Sequence, residues 1–293
     1  MLGFSNTSPA LGISRGLATA SSTLDAGVTE ALVRQITASR KYRYICEDTV
    51  RDVVLKSLPK YRRKKEAIKA ARTKLHRIQA SYLGRISFGT ELKVLAKAHH
   101  NGQHNDVRRI CLRLMAQHAS AKERIPLLDD FYRKIFSVTG TPQRILDIAS
   151  GVHPLSIPWM NLPNGVDYFA YEIDSRLVAF LNQFFNAIGY KPLAKLEDVI
   201  CNPPKETADL GFVMKMVPCL EAREAGISLQ LLRSLKVKFV VVSYPIRSLS
   251  GRSRNMPSFY TKSFQSMVEG MNWSVTRLPI EDELVFVIEK RNS

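Results

Sequence analysis

The chain has 293 residues, 45% hydrophobic and 24% charged, with 43 Lys and Arg against 26 Asp and Glu for a formal charge of +17. This composition excludes global disorder, and no apolar run approaches the ~20 residues that span a bilayer. Cys46, Cys111, Cys201 and Cys219 are scattered with no Cys-x-x-Cys pair, which speaks against a zinc site or a disulfide framework and for a reducing cytoplasm.

Charge is unevenly spread. Residues 1–124 hold 24 Lys and Arg against 9 Asp and Glu, and residues 125–293 hold 19 against 17. Such a surface faces a polyanion, and phosphate contact is its usual use. The basic helices have narrow apolar stripes without a Trp/Phe-rich face, which argues against a membrane-surface role.

In chain order, residues 1–27 are rich in Ser, Thr, Ala and Gly, keep no period and read as a disordered tail, not a secretory signal. Helices follow over Val28–Ser39, over Glu47–Leu58 with Pro59 ending it, and over Arg62–Tyr82 with Gly84 ending it. The third carries Ile68, Leu75, Ile78 and Tyr82 on one stripe and Lys65, Lys69, Arg72 and His76 on another. A further helix covers Asn105–His118. Ser120 to Glu123 resembles a capping box before a helix with Ile125, Leu128, Tyr132 and Ile135, although Pro126 delays its start. The expected organisation is a basic helical part over 28–120 and a sheet domain over 121–293.

After Pro142 the pattern changes to apolar strands at 144–149, 168–173, 193–196, 210–214 and 237–244, with helices at 175–188 and 221–235. Alternation of this kind predicts a parallel sheet covered on both faces. The runs 273–280 and 283–290 are joined by two residues and read as an antiparallel hairpin. The predicted fold is α/β, a seven-stranded, mostly parallel Rossmann-like sheet closed by a C-terminal antiparallel hairpin and preceded by helices.

Ligands of such sheets bind at the carboxyl ends of the strands. The first strand ends in Asp147-Ile-Ala-Ser-Gly151-Val-His153-Pro154, the second in Glu172-Ile-Asp174 and the third in Glu197-Asp198-Val199. An acidic residue after the second strand can accept from ribose hydroxyls, and a carboxylate beside an apolar side chain suits adenine. A single glycine is too few for the pyrophosphate cradle of a dinucleotide site and is acceptable for S-adenosylmethionine. Asn202-Pro203-Pro204 is similar to the Asn-Pro-Pro-aromatic motif of exocyclic-amine methyltransferases. It follows the wrong strand and is trailed by Lys205, so it reads as a turn. The loop from Ser243 to Met256 carries Arg247, Arg252 and Arg254. They suit phosphates or a base edge, against the alternative of an ordinary solvated loop.

These residues resemble the class I methyltransferases, and within them the Arm/Rmt family of aminoglycoside-resistance enzymes that modify N7 of guanine 1405 in 16S rRNA. Matching stretches are Ser39–Arg43, Asp48–Arg51, Ala70–His76, His118–Arg124, Leu146–Pro154, Met214–Pro218 and Ser243–Arg252. The resemblance implies S-adenosylmethionine as cofactor. Arg124 would clasp its carboxylate, Gly151 would admit its methionine part, Glu172 would hold the ribose, and Asp198 with Val199 the adenine. Asp147, Ala149 and Lys215 would complete that set. It implies rRNA docking through Lys41, Arg43, Arg62, Lys65, Lys69, Arg72 and Lys74. By hypothesis, Arg247, Ser248 and Arg252 hold the flipped target base, and Tyr260 or Tyr244 either stacks on it or packs in the core. Ser150 and His153 depart from the residues common in relatives.

The expected partner is 16S rRNA in the 30S subunit, in the cytoplasm and without metal or membrane; the sequence leaves open whether the particle or naked rRNA is the substrate, and it leaves the oligomeric state open with a monomer as the default. Guanine N7 carries no proton, so no general base is expected. Rival readings are a methyltransferase of another rRNA or tRNA base, a small-molecule methyltransferase, and a non-catalytic RNA-binding or assembly protein.

Overall fold

Strand β1 (Arg144–Ile148) is a short apolar run buried from Ile145 onward, so it can only sit centrally in a sheet covered on both faces. In the computed structural model, which describes residues 27–80, 89–246 and 256–291, it does so. It lies between β2 (Asp167–Glu172) and β4 (Thr207–Met214), parallel to both. β3 (Ala194–Leu196) extends the sheet beyond β2, and β5 (Lys236–Pro245) extends it beyond β4, again in parallel. The chain then reverses. β7 (Glu283–Lys290) runs antiparallel to β5, and β6 (Trp273–Leu278) forms the edge, giving the order β3-β2-β1-β4-β5-β7-β6. The predicted seven-stranded sheet with its antiparallel hairpin is present, with strand limits moved by at most three residues.

The helices are α1 (residues 27–37), α2 (Glu47–Leu55), α3 (Lys64–Ala80), α4 (Gly89–His100), α5 (His104–Met115), α6 (Ala119–Lys122), α7 (Leu128–Thr139), α8 (Ser175–Ala187), α9 (Val217–Arg223), α10 (Ile227–Ser234) and α11 (Met256–Val268). The helix expected over 221–235 is two helices. Gly226 takes φ +80°, a left-handed conformation that ends one helix and starts the next. The second predicted helix stops at Leu55, and Pro59 lies in a 3-10 turn, Leu58–Lys60. Ser120 does not cap. It lies inside α6, and its hydroxyl meets His118 Nδ1 at 3.1 Å. Pro126 sits in a 3-10 turn, Ile125–Leu127, and α7 begins after it, because proline has no N–H for the preceding turn. α4 and α11 were not anticipated. The tail expected over 1–27 lies outside the described residues except for Gly27.

Packing divides the molecule between α3 and α4. α1, α2 and α3 share one core around Leu32, Val33, Ile36, Val50, Val54 and Leu75. α4 and α5 instead bury Leu95, Ile110 and Leu114 in the same core as β1, β2, α7 and α8. Phe180, Phe184 and Phe185 of α8 are buried there, at about 1.5–3 kcal/mol each. A third cluster covers the opposite face of the sheet, with Leu146, Val240, Val242, Phe264 and Phe286. Among the described residues no helix is long and apolar enough to cross a membrane, and no His/Cys/Asp/Glu group could hold a metal.

Candidate cofactor cleft and nucleic-acid interface

A cleft of about 1220 Å³, counted to its open mouth, lies at the carboxyl ends of β1, β2 and β4. Arg124, Ala149, Gly151, Glu172, Asp198, Val199 and Lys215 all line it. The turn after β1 is left-handed at Ala149 (φ +50°) and at Gly151 (φ +53°). A Cβ on Gly151 would stand 3.7 Å from the His118 ring, in the space between loop and ring. Burial and the nearby Lys215 ammonium push His118 down to about 4, so its ring is neutral at pH 7.

Glu172 anchors the turn. One oxygen accepts from Gly151 N at 3.0 Å, and the other from Ile173 N at 2.7 Å and Asp174 N at 3.2 Å. Its first oxygen retains acceptor capacity for a hydroxyl. Burial raises its pKa, against the pull of these three N–H donors.

Arg124 is 4% exposed and forms a fork with Glu283, which is 1% exposed. Nε donates at 3.1 Å and Nη2 at 2.5 Å, and the guanidinium lies over the Phe131 ring at 4.8 Å. The charge of Arg124, followed by that of Lys215, holds Glu283 below the usual carboxylate range despite its burial. Lys215, left-handed at φ +56°, sends Nζ to Glu123 at 2.6 Å and to Ser120 O at 3.1 Å. Glu283 opens β7 and gave no sign of itself in the sequence beyond being an acidic residue at a hairpin turn.

Asp147, expected at the cofactor, is fully buried and is not among the residues that line the cleft. It accepts from Tyr168 Oη at 2.8 Å and meets His153 Nδ1 at 2.9 Å. His153 Nε2 in turn meets Tyr132 Oη at 2.9 Å, and Tyr132 bonds Ser156. This network fixes the turn that carries Gly151.

Asp198 does line the cleft, but its carboxylate is occupied. It accepts from Thr49 Oγ1 at 2.8 Å, from Ile200 N at 3.0 Å, and from Arg223 Nη1 at 2.8 and 3.1 Å. Val199, Ile200, Ile173 and Leu220 supply apolar wall beside it. Thr49 and Arg223 were missed because both act across the fold.

The basic residues separate into two groups. Lys41, Lys65, Lys69, Arg72 and His76 line one groove of about 640 Å³ with Tyr42 and Ile68. The spacing of the last four puts them on one stripe of α3, and Tyr42 Oη holds the helix by donating to Arg72 O at 3.0 Å. Arg72 Nε is buried there without a hydrogen-bond partner. Arg43, outside the groove, lies over the Tyr44 ring at 5.0 Å, and Arg62 is exposed just before α3. Lys74 is half-buried outside the groove, where desolvation and the charge of Lys60 lower its pKa.

Tyr244 is buried, and Tyr260 stacks on it at 4.9 Å, so Tyr244 is packing rather than a platform. Tyr260 is half-buried at the start of α11. Arg247, Ser248 and Arg252 lie outside the described residues.

A doubly wound sheet closed by an antiparallel hairpin, with a ligand cleft at its carboxyl edge, is the architecture of a class I methyltransferase. The model of the ribosomal RNA methyltransferase (FmrO) family matches residues 38–287, and the chain belongs to that family. It is 32% identical over 264 residues to a 16S rRNA (guanine(1405)-N(7))-methyltransferase of Micromonospora rosea, covering 89% of this chain and 96% of that one. It is 34% identical over 263 residues to a protein of the same name from Serratia marcescens, covering 90% and 98%. The structure of the 16S rRNA methyltransferase RmtF with S-adenosyl-L-homocysteine superposes with a TM-score of 0.73 at 29% identity, over 90% of this chain and 98% of that one. The 16S rRNA methylase RmtB gives 0.72 at 30% identity, over 90% and 98%.

Proposed function

We propose that this chain transfers the methyl group of S-adenosylmethionine to N7 of guanine 1405 in 16S rRNA. The observation that carries the reading is the pairing of a cofactor cleft with a basic groove on one helical unit, in a chain whose 30%-level relatives share that activity over nearly their whole length. The cleft suits the cofactor. Gly151 leaves space beside the neutral His118 ring, and Glu172 keeps acceptor capacity for a ribose hydroxyl. Apolar residues flank Asp198 where adenine would lie.

S-adenosylmethionine, when bound, supplies an electrophilic methyl group. Guanine N7 offers a lone pair and no proton, so no side chain has to act as a base. The chain's part is positioning and electrostatics. Arg124, held by Glu283, offers positive charge to a carboxylate. Arg247, Ser248 and Arg252 hold the extruded guanine, with Tyr260 at its edge. Lys41, Arg43, Arg62, Lys65, Lys69, Arg72 and Lys74 form the basic surface for rRNA, the first and the α3 stripe through the groove and the others around it. The working unit is a monomer acting on the assembled 30S subunit in the cytoplasm, and resistance to aminoglycosides follows from the modified base.

The test incubates the protein and labelled S-adenosylmethionine with unmodified 30S subunits, naked 16S rRNA and tRNA in parallel. Chemical strand scission then maps N7-methylguanine. Label confined to guanine 1405 of 30S subunits is expected. Label on another base moves the target, and absence of label with cofactor binding intact refutes the reading.

A further inference from the structure

The N-terminal helices do more in this molecule than present positive charge. Ile45 and Ile78, from the loop before α2 and from the end of α3, line the cofactor cleft directly. The segment before α2 is bonded to the chain just after β2. Cys46 N donates to Ile173 O at 2.7 Å, Ser175 N donates to Tyr44 O at 2.8 Å, and Ile45 forms a bridge with Asp174. These contacts flank Glu172.

The second attachment reaches the other end of the cleft. Thr49, fully buried on α2, donates to Asp198 at 2.8 Å. Arg223 of α9 holds the same carboxylate and, through Nη2, Asp52 of α2 at 2.7 Å. Asp52 and Glu224 share Lys56 at 2.9 and 2.6 Å, and Asn202 donates to Asp48 at 2.9 Å. Glu172 and Asp198 thus have their surroundings set in part by α2 and its leading segment. α3 then runs from the basic groove to the cleft wall. None of these contacts is needed for a helical unit that only docks on RNA.

We infer that the α1–α3 unit is part of the cofactor site, and that Thr49 is a positioning residue that orients Asp198 for the adenine. The inference rests on the proposed seat of adenine at Asp198. Removing the Thr49 hydroxyl takes one hydrogen bond from a buried carboxylate and leaves its orientation to Arg223 Nη1 and Ile200 N alone. Because binding free energies are reciprocal, anything that shifts α2 on docking to RNA also changes cofactor affinity.

The experiment is calorimetric titration of the full-length protein, free of RNA, with S-adenosylmethionine. Thr49→Val is expected to weaken binding about ten-fold and to raise KM for the cofactor with kcat within about two-fold, while affinity for 30S subunits without cofactor stays unchanged. Thr49→Ser, which keeps the hydroxyl, is expected to restore binding. Cofactor affinity of Thr49→Val within two-fold of the parent overturns the inference. Should that variant fail to fold, Asp52→Asn decides, because loosening Arg223 must also weaken the cofactor; parental affinity there overturns it equally. Asp198→Asn separates the two layers. If it binds normally, the adenine seat itself is wrong. If it weakens binding and Thr49→Val does not, only the positioning role falls. All these readouts are independent of which RNA is methylated.

Discussion

Replacing Glu283 by Gln removes the charge that the Arg124 guanidinium is built around while keeping side-chain shape. Both groups are nearly inaccessible, at 4% and 1%, and the contact is a two-point fork, so it belongs with buried pairs rather than the surface pairs worth about 0–1 kcal/mol. Removing one partner of such a pair costs about 3–5 kcal/mol. Lys215 softens the loss only slightly, since its closer partner is Glu123. The sign with pH follows from the lowered pKa of Glu283. Its stabilisation is present above the unfolded carboxylate value of 4.5 and is lost as pH falls through the folded one. Urea unfolding at pH 7 should therefore show Glu283→Gln less stable by about 3 kcal/mol, with the gap from the parent closing at acid pH. Arg124→Met combined with Glu283→Gln should cost less than the two single losses together. A gap under about 1 kcal/mol at pH 7, or strict additivity in that cycle, refutes the buried-pair reasoning.

Replacing Lys65, Lys69 and Arg72 by Glu should abolish most 30S affinity and flatten its salt dependence, leaving S-adenosylmethionine affinity within about two-fold; filter binding across a salt series and calorimetry read the two effects. Gly151→Ala should lose about 1–2 kcal/mol of stability, because residue 151 has φ +53°. Its Cβ would also fill space beside His118, so calorimetry should show weaker cofactor binding as well. The rate of methyl transfer under single-turnover conditions should be flat from about pH 6.5 to 8.5. His118 titrates near 4, and burial drives the Tyr132 and Tyr168 hydroxyls upward, so none of them changes charge in that range. A bell-shaped profile would contradict the absence of a base.

The sheet was legible because its strands are apolar runs with turn residues between them, and those runs have no alternative burial. The acidic residues after β2 and β3 were legible for the same reason, since strand ends locate them. Helix ends were less so. Gly226 breaks a stretch whose apolar period continues across it, and only its left-handed backbone reveals the break. α4 (GTELKVLAKAHH) was overlooked although it follows a helical period, because it lies past a glycine-rich boundary. Asp147 differs from the other strand-end carboxylates in a way the sequence does not show. It is the acidic residue at the end of the first strand, but Tyr168 and His153 draw its carboxylate inward. Partners 149 and 159 residues apart, such as Thr49 with Asp198 and Arg124 with Glu283, leave no local pattern to read.

The distribution of buried polar groups fits the chemistry of N7 better than that of an exocyclic amine. A reaction that removes a proton needs an acceptor at the reacting edge, titrating near neutrality and open to substrate. Here the titratable chain of Asp147, His153, Tyr132 and Ser156 is bonded member to member, with His153 at the cleft wall and both its ring nitrogens engaged, and it holds the shape of the turn. Among the charged groups that line the cleft, Arg124, Lys215, Glu172, Asp198 and Arg223 are fastened by protein partners. Groups so fastened keep their position while a methyl group passes. That is what an in-line transfer to a lone pair requires.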